Sequence, residues 1–139
     1  MEKILISRCL LGENCTYRGD SKYCEKAAAL AEKYELLTVC PEADGGLPIP
    51  RDPAERIGDK VISKEGRDVT AEYVRGAEIA LEKALENNVS FAVMKARSPS
   101  CGSGVIYDGT FTGTRVCGDG VAAELLKKYG IRVITEEEI

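Results

Sequence analysis

Three features of the sequence predict a small α/β domain built on an open, mostly parallel sheet with helices on both faces. Short apolar runs alternate along the chain with segments whose apolar residues recur at helical spacing. The apolar runs are continuous instead of alternating with polar residues, which is typical of parallel strands buried on both faces. The chain has 139 residues, the size of one ordinary domain. We therefore expect a single α/β domain over residues 1–139.

Four apolar runs are predicted to be the strands of this sheet. The first three each stop abruptly at a loop, and a cysteine follows each of them. In the second case Pro41 comes directly after the cysteine and ends regular strand pairing. The four predicted strands are Lys3–Ser7, Leu36–Val39, Phe91–Met94 and Ile131–Ile134.

Helical spacing predicts three helices between these strands. The first spans Tyr23–Tyr34, with Asp20 or Ser21 as its N-cap. The last spans Val121–Tyr129 and ends before Gly130, a typical residue just past a helix. The middle helix is long, starts at a Thr70 cap and stops at Asn87. Its predicted apolar stripe consists of Val74, Ala77, Leu81, Ala84 and Leu85.

The segments between these elements are predicted to be irregular. Residues 43–66 contain three prolines and four glycines, and we expect a long ordered loop with a small hairpin around Lys64–Gly66. Loops of this length are usually functional, so this one is a candidate substrate cover. Asp108–Gly109 predicts a two-residue turn in a short β-hairpin insertion. Glu136–Glu138 is expected to be a solvated tail, and the whole arrangement is Rossmann-like.

The composition excludes several classes of function. Hydrophobic residues make up 44% and charged residues 30% of the chain, as in ordinary globular proteins. The net charge is −4 and no long basic run occurs, so no nucleic-acid partner is expected. No apolar run approaches the roughly 20 residues that span a bilayer, and no signal peptide precedes the first strand. These features predict a cytoplasmic protein without membrane contact, and they leave the oligomeric state open.

Three cysteines mark the expected functional site. Cys9, Cys40 and Cys101 are far apart in the sequence, but each follows a different predicted strand. Open α/β sheets bind ligands outside the carboxyl ends of their strands, so the three thiols are expected to converge there.

Sulfur and carboxylate must carry the chemistry, because the chain has six cysteines and no histidine. The absence of an export signal makes a disulfide framework a poor interpretation of these cysteines. A structural zinc site needs four ligands, usually in close Cys-x-x-Cys pairs, and no such pair occurs. Three thiolates suit instead an iron–sulfur cubane in which one iron stays open to a substrate atom.

The other cysteines are interpreted differently. Cys24 lies inside the first predicted helix and Cys117 lies ahead of the last one, and packing as small hydrophobes explains both. Cys15 shares a glycine-containing loop with Cys9. A second sulfur-handling group, a reserve ligand and a buried hydrophobe all remain open for Cys15.

Three polar residues beside these cysteines are candidates for catalysis. Glu42 lies two residues after Cys40 and is the carboxylate best placed to act as an acid or base, although a solvated loop glutamate is the alternative. Ser98 and Ser100 precede Cys101 and can orient a substrate, although ordinary turn chemistry also explains them.

Together these segments resemble a known family. The blocks Ser7–Gly12, Cys40–Arg51 and Ser98–Gly102 look like the three signature blocks of a bacterial domain-of-unknown-function family that includes the 2-thiouracil desulfurases. With Gly66–Thr70 and Gly118–Leu126, the resemblance covers nearly the whole chain. Its blocks are specific as a set.

The resemblance implies a cofactor, a reaction and roles for the candidate residues. A [4Fe–4S] cluster would be bound by Cys9, Cys40 and Cys101, and its unique iron would accept the sulfur of a thiolated pyrimidine in a non-redox desulfuration. Glu42 would relay protons and activate water, and Ser98 or Ser100 would hold the substrate. Family members often form the N-terminal part of longer chains, so the substrate of this chain stays open.

Two rival functions remain. The first is an iron–sulfur or metal-binding protein that transfers sulfur without hydrolytic turnover. The second is a metal-free thiol enzyme with Cys9 as its nucleophile. The sequence argues against the second, because the residue six positions after Cys9 is Cys15 and not the arginine of a phosphatase-like loop.

Overall fold

The computed structural model describes all residues from 1 to 139 and contains eight strands and four α-helices. None of the helices is both long enough and apolar enough to cross a membrane. The strands are β1 (Lys3–Ser7), β2 (Glu35–Val39), β3 (Ala54–Ile57), β4 (Lys60–Ser63), β5 (Ala92–Met94), β6 (Val105–Tyr107), β7 (Arg115–Cys117) and β8 (Val133–Thr135). The helices are α1 (Glu25–Ala29), α2 (Pro41–Asp44), α3 (Thr70–Glu86) and α4 (Val121–Lys128).

The central sheet has four strands in the order β2-β1-β5-β8, and every neighbouring pair is parallel. In the middle of the sheet, Leu5 of β1 lies opposite Leu37 of β2 and Ala92 of β5. Both faces of β1 are covered, so Ile4, Leu5 and Ile6 are fully buried. The predicted α/β class and the parallel sheet are confirmed.

Helices cover both faces of this sheet, as predicted. Leu5 points into a core formed with α3 and α4, which pack against each other. Ile4 and Ile6 point to the opposite face and pack with Ala27 of α1. The alternation of side chains along a strand thus divides the core into two layers around one sheet.

The long helix has the predicted bounds, and its buried face matches the predicted stripe in part, because Ala77 and Ala84 are buried and Leu81 packs against the core. Val74 and Leu85 are 42% and 48% exposed. Thr70 does not cap the helix; its Oγ1 accepts a hydrogen bond from the Val61 amide instead. Small residues let α3 lie close to the sheet and to α2, which rotates the buried face by about one residue. The buried residues of α3 are Tyr73, Gly76, Ala77, Ala80 and Ala84.

The first helix is much shorter than predicted. It covers Glu25–Ala29, continues as a 3-10 turn over Leu30–Glu32, and has Cys24 rather than Asp20 or Ser21 at its N-cap. The preceding residues are extended because their amides pair with the loop after β1. Lys22 donates to the Cys9 carbonyl at 3.0 Å and Cys24 donates to the Leu10 carbonyl at 2.9 Å.

The segment predicted as a long loop contains the predicted small hairpin around Lys64–Gly66, where Ile62 and Asp68 form an antiparallel bridge, and a further hairpin before it. Strands β3 and β4 pair around a turn at Gly58, which has a positive φ of 59°. At the predicted turn over Lys64–Gly66, the Gly66 amide donates a hydrogen bond to the Ser63 carbonyl. Residues 43–66 therefore form an ordered wall and not a featureless loop.

The β6–β7 hairpin is also different from the prediction. Tyr107 pairs with Arg115, so the connection is longer than the two-residue turn expected at Asp108–Gly109. The Glu55 carboxylate accepts hydrogen bonds from the amides of Gly109 and Phe111. This contact with β3 stabilises the longer loop, and no local sequence signal reports it.

The expected solvated tail is ordered. Glu136–Glu138 forms a 3-10 turn with Thr135 in a capping box. Lys95 pairs with Glu136 at 2.8 Å, and Arg97 forms a two-pronged ion pair with Glu137. The end of the chain is thereby tied to the segment that follows β5.

Candidate functional site

A cavity of about 450 Å³ opens at the carboxyl ends of β1, β2 and β5. It lies where ligands bind in open α/β sheets. All six residues predicted to form the site line this cavity: Cys9, Cys40, Glu42, Ser98, Ser100 and Cys101. The structure therefore brings all the predicted residues together at one cavity.

Cys9 enters the cavity on a tight turn directly after β1. The 3-10 turn Arg8–Leu11 ends at Gly12, whose φ of 97° favours glycine. The Cys9 carbonyl accepts hydrogen bonds from the amides of Gly12 and Lys22. The turn closes on itself, so the Cys9 thiol is held in place at the sheet edge.

Cys40 and Glu42 are placed by the short helix α2. Cys40 is the N-cap and Pro41 is the first helical residue, a position where its missing amide costs nothing. The Asp44 carboxylate accepts from the Cys40 amide at 3.1 Å and pairs with Arg8 at 2.8 Å. These bonds link the loop after β2 to the loop after β1.

Helix α2 lies so close to α3 that one position must be glycine. A Cβ at Gly76 would be 1.7 Å from the Pro41 carbonyl oxygen, far inside any real contact. Without that side chain, the backbone of α2 rests directly on α3. This close packing of α2 on α3 fixes the position of Glu42 and places it next to the Tyr73 side chain.

Ser98, Ser100 and Cys101 lie on a turn whose own amides organise its side chains. The Ser98 Oγ accepts from the amides of Ser100 at 3.1 Å and Cys101 at 3.0 Å. The Ser100 carbonyl accepts from the Ala122 amide at 2.9 Å, so this turn also anchors the start of α4. A Cβ at Gly120 would be 2.5 Å from the Ser100 carbonyl carbon, so the approach requires glycine there.

The Glu42 carboxylate is held on both oxygens. Arg51 Nε donates to Oε1 at 3.1 Å, and the Ser100 hydroxyl donates to Oε2 at 2.9 Å. The Ser98 hydroxyl lies 3.4 Å from Oε2 and 2.9 Å from the Ser100 hydroxyl. A charged partner and two hydroxyls therefore fix the direction in which Glu42 faces the cavity.

Arg51 is the last residue of the family block Cys40–Arg51, and the sequence predicts no role for it. Its side chain is only 6% exposed. Besides Glu42, it donates to the carbonyl oxygens of Cys15 at 2.9 Å and Pro48 at 3.2 Å. The hydrogen-bond partners of Arg51 come from three separate segments. The residues next to Arg51 in the sequence therefore do not indicate these contacts, apart from its place in the family block.

Tyr73 is the other site residue that the sequence reasoning missed. It is 1% exposed and lines the cavity close to Glu42. Burial, followed by the negative charge of Glu42, holds its pKa well above the usual value, so the phenol stays protonated. The predicted apolar stripe of α3 began at Val74, one residue further along.

The pKa values of two cavity thiols, Cys40 and Cys101, are raised. Burial raises the pKa of Cys101 to about 12, against the opposite effect of hydrogen bonds with Ser7 and Ser100. A hydrogen bond with Cys15, followed by burial, raises the pKa of Cys40 strongly. Thiolate is the form that binds metal, so a positive charge must enter the cavity to stabilise it.

The remaining cysteines divide into one inside the cavity and two outside it. Cys15 is buried and lines the cavity, and its carbonyl oxygen accepts a hydrogen bond from the Cys40 thiol at 3.5 Å. Cys24 is partly buried against the core on the α1 side, as a small hydrophobe should be. Cys117 is exposed on β7, so the packing interpretation of that residue is wrong.

The donor set fits an iron–sulfur cluster better than a single metal ion. No three or more cysteine, aspartate or glutamate side chains are grouped so that they could hold one ion. A zinc ion would need its thiolates about 2.3 Å from one central point. Cluster ligands instead bind different iron atoms, so thiols spread along a cavity wall are suitable, and soft thiolates favour this chemistry.

The fold and the cavity define a class: a small α/β protein with a thiol-lined site at the carboxyl edge of a parallel sheet. The profile of the 2-thiouracil desulfurase family matches residues 4–138, and the chain belongs to this family. The resemblance inferred from the signature blocks is thus confirmed.

Two individual proteins are closely similar to the chain. The uncharacterized protein YbbK of Bacillus subtilis (strain 168) is 44% identical over 146 residues, which cover 98% of this chain and 97% of that protein. The solved structure of TudS, described as a [4Fe–4S]-dependent thiouracil desulfidase, is 47% identical. It superposes with a TM-score of 0.94 over 100% of this chain and 93% of TudS, which confirms the fold.

Proposed function

We propose that this chain is a [4Fe–4S]-dependent enzyme that removes sulfur from a small thiolated pyrimidine such as 2-thiouracil, without net oxidation or reduction. Cys9, Cys40 and Cys101 would hold the cluster. The observation that supports this most directly is that these thiols and the Glu42 carboxylate line one cavity of about 450 Å³. Membership of the 2-thiouracil desulfurase family supports the same reaction.

The reaction divides naturally between the cofactor and the protein. When bound, a cluster with three protein ligands supplies an iron that acts as a Lewis acid for the sulfur of the substrate. The overall change replaces a C=S bond by C=O, consumes one water and releases hydrogen sulfide. No electrons enter or leave, so the protein must supply water activation and proton transfer.

Glu42 is the general base in this proposal. Arg51 occupies Oε1, which leaves Oε2 and its hydroxyl partners directed toward the substrate. Oε2 takes a proton from water as the water oxygen attacks the ring carbon. Glu42 passes this proton to the sulfur, then takes the second proton from the hydroxyl of the adduct as the C=O bond forms and the C–S bond breaks, and passes it on as well. Both protons of the water thus leave with the sulfur as hydrogen sulfide, and Glu42 returns to its carboxylate form. A carboxylate in this role typically contributes about 10²- to 10⁴-fold in rate.

Ser100 and Ser98 orient the reacting groups. The two hydroxyls lie 2.9 Å apart and form a chain that ends on Glu42. Two backbone amides hold the Ser98 hydroxyl, and the Ser100 hydroxyl is held by its bonds to Ser98 and Glu42. One hydroxyl holds the substrate while the other keeps its hydrogen bond to the carboxylate.

The surroundings of the site suggest where the protein works. All six cysteines are free thiols, and four of them line the cavity. Free thiols of this kind persist in a reducing compartment, so we assign the protein to the cytoplasm. The acidic net charge of −4 fits a small-molecule substrate better than a nucleic acid.

The decisive experiment combines metal analysis with turnover. Anaerobically reconstituted protein should contain about four irons and four sulfides, as a cubane does. Incubation with 2-thiouracil should yield uracil and sulfide in equal amounts, measured by chromatography and sulfide assay. Zinc alone without a brown chromophore would refute the cofactor. A bound cluster that takes up sulfur without turnover would favour the sulfur-transfer alternative.

A further inference from the structure

Three residues, Lys95–Arg97, connect β5 to the turn that carries the two candidate hydroxyls. Strand β5 ends at Met94, and the turn begins at Ser98. The neighbouring strands fix β5 itself, but the connecting residues lie beyond its last ladder pair, Met94 with Thr135. Contacts with other parts of the chain must therefore decide the direction in which the turn leaves the sheet.

The Glu136 carboxylate, in the 3-10 turn that follows β8, uses both of its oxygens on this connection. Oε1 accepts a hydrogen bond from the Ala96 amide at 2.7 Å, and Oε2 pairs with the Lys95 ammonium at 2.8 Å. The Glu136 side chain is only 13% exposed, so water competes weakly for these bonds. A carboxylate this buried is stable only with such partners. Glu136 thus restrains the connection through its backbone and through a side chain at once.

The next residue, Arg97, has a strained backbone. Its φ of 65° lies in the left-handed region, which is unfavourable for a residue with a Cβ. Such conformations persist only where the surroundings enforce them. Arg97 forms a two-pronged ion pair with Glu137, but that carboxylate is 55% exposed, and exposed ion pairs contribute little. The buried restraint next to the strained residue is therefore the bond from the Ala96 amide to Glu136.

We propose that Glu136 is a positioning residue for the reaction: it sets the direction of the Ser98–Cys101 turn and thereby keeps the Ser100 hydroxyl on Glu42. This inference rests on the catalytic roles assigned under the proposed function. Glu136 does not line the cavity, so it acts only through the turn. The Ser100 hydroxyl lies 2.9 Å from Glu42 Oε2, and a small rotation of the turn lengthens this bond. A misplacement of about 1 Å can lower a rate by about 10²-fold.

The test uses two measurements, and the first needs neither cofactor nor turnover. Hydrogen exchange followed by mass spectrometry reports how firmly the amides of the Ser98–Cys101 turn are held. The second measurement is kcat for 2-thiouracil per bound cluster, in the wild type and in a Ser100→Ala background. Glu136→Gln keeps the size and one acceptor oxygen but loses the ion pair, whereas Glu136→Ala loses both contacts.

Asp119→Asn is the matched control. Asp119 Oδ1 accepts a hydrogen bond from the Gly104 amide at 2.8 Å and pairs with the Lys127 ammonium at 2.9 Å. This carboxylate therefore also joins a backbone amide to a lysine, and it also lies outside the cavity. It differs from Glu136 in that it holds no residue between β5 and Ser98.

We expect exchange in the turn to be faster in Glu136→Gln and fastest in Glu136→Ala. The two variants should lose between about 10- and 100-fold in kcat, with a smaller change in KM. In the Ser100→Ala background the same substitutions should cost almost nothing further, because the hydroxyl that they misplace is gone. Asp119→Asn should match the wild type in both measurements.

Unchanged exchange in Glu136→Ala would overturn the inference. Equal losses of kcat in the two backgrounds, or an equal loss in Asp119→Asn, would overturn it as well, because they indicate a general structural effect. A wild type that does not convert 2-thiouracil would refute the proposed function instead. In that case hydrogen exchange still decides whether Glu136 holds the turn.

Discussion

The edge of the sheet and the surface outside it both carry cysteines, but in very different surroundings. At the edge, Cys9, Cys40 and Cys101 follow strands β1, β2 and β5, and their side chains meet around one cavity. Outside it, Cys24 begins a short helix and Cys117 is exposed on a two-stranded hairpin. Position at the carboxyl edge of the parallel sheet separates the three proposed ligands from Cys24 and Cys117.

The strongest test of this difference is to remove the edge thiols one at a time. Cys9→Ser, Cys40→Ser and Cys101→Ser should each lose most of the cluster, because a hydroxyl is a poor ligand for iron in this setting. Iron and sulfide assays after anaerobic reconstitution, with circular dichroism to confirm the fold, measure the effect. Full iron content in any of the three would remove that residue from the ligand set.

The next largest effect is expected at Glu42. Glu42→Gln keeps the size of the side chain but cannot accept a proton, so turnover of 2-thiouracil should fall about 10²- to 10⁴-fold. The absorption spectrum of the cluster should be unchanged. Glu13→Gln is the control, because the Glu13 carboxylate is exposed and pairs with Arg8. This variant should keep wild-type rates. Near wild-type turnover in Glu42→Gln would exclude the carboxylate from catalysis.

Arg51 is expected to act through Glu42. Arg51→Lys keeps the charge but cannot reach three acceptors. The loss of one charge-assisted hydrogen bond, worth about 1.5–3 kcal/mol, corresponds to a rate that is lower by about 10- to 150-fold. The loss should appear in kcat more than in KM. Arg56→Lys is a matched control, since Arg56 also bonds two carbonyls and a carboxylate, but outside the cavity. Equal losses in both variants would indicate a purely structural role for Arg51.

A smaller effect is expected at Tyr73. Tyr73→Phe removes only the buried phenol hydroxyl close to Glu42. A polar interaction of about 0.5–1.5 kcal/mol corresponds to about 2- to 10-fold in kcat. The ring keeps filling the core, so the thermal midpoint should hardly change. Tyr129→Phe, at an exposed tyrosine, serves as the reference. A large drop in stability without a change in kcat would contradict this assignment.

The smallest effects should come from the cysteines outside the cavity. Cys24→Ala and Cys117→Ser are expected to retain the cluster and turnover, with a loss of at most about 1 kcal/mol in the free energy of unfolding. Chemical denaturation and iron assays provide the two measurements. If iron is lost while the fold persists, the distinction between edge and surface cysteines is wrong.

The features that could be predicted from the sequence are those whose cause is local. Strand β1 and the bounds of α3 follow from short apolar runs and helical spacing. The meeting of Cys9, Cys40 and Cys101 follows from one further rule, that parallel strands end at a common edge. These inferences needed no knowledge of which distant residues touch.

The failures share the opposite cause. Helix α1 starts late because the residues before it pair with the Cys9 loop, and the β6–β7 connection is long because Glu55 holds it. Arg51 and Tyr73 were missed because their partner, Glu42, lies on another segment. Contacts between segments override the local pattern, and a single sequence does not report them.

The strand order has a consequence for how the finished protein is made. Cys9 and Cys40 belong to adjacent strands near the start of the chain, whereas Cys101 becomes their neighbour only after β5 pairs with β1. A nascent chain emerging from the ribosome therefore displays two of the three ligands well before the third. The three thiols come together only when β5 has paired with β1, so the proposed cluster site is complete only in the folded chain.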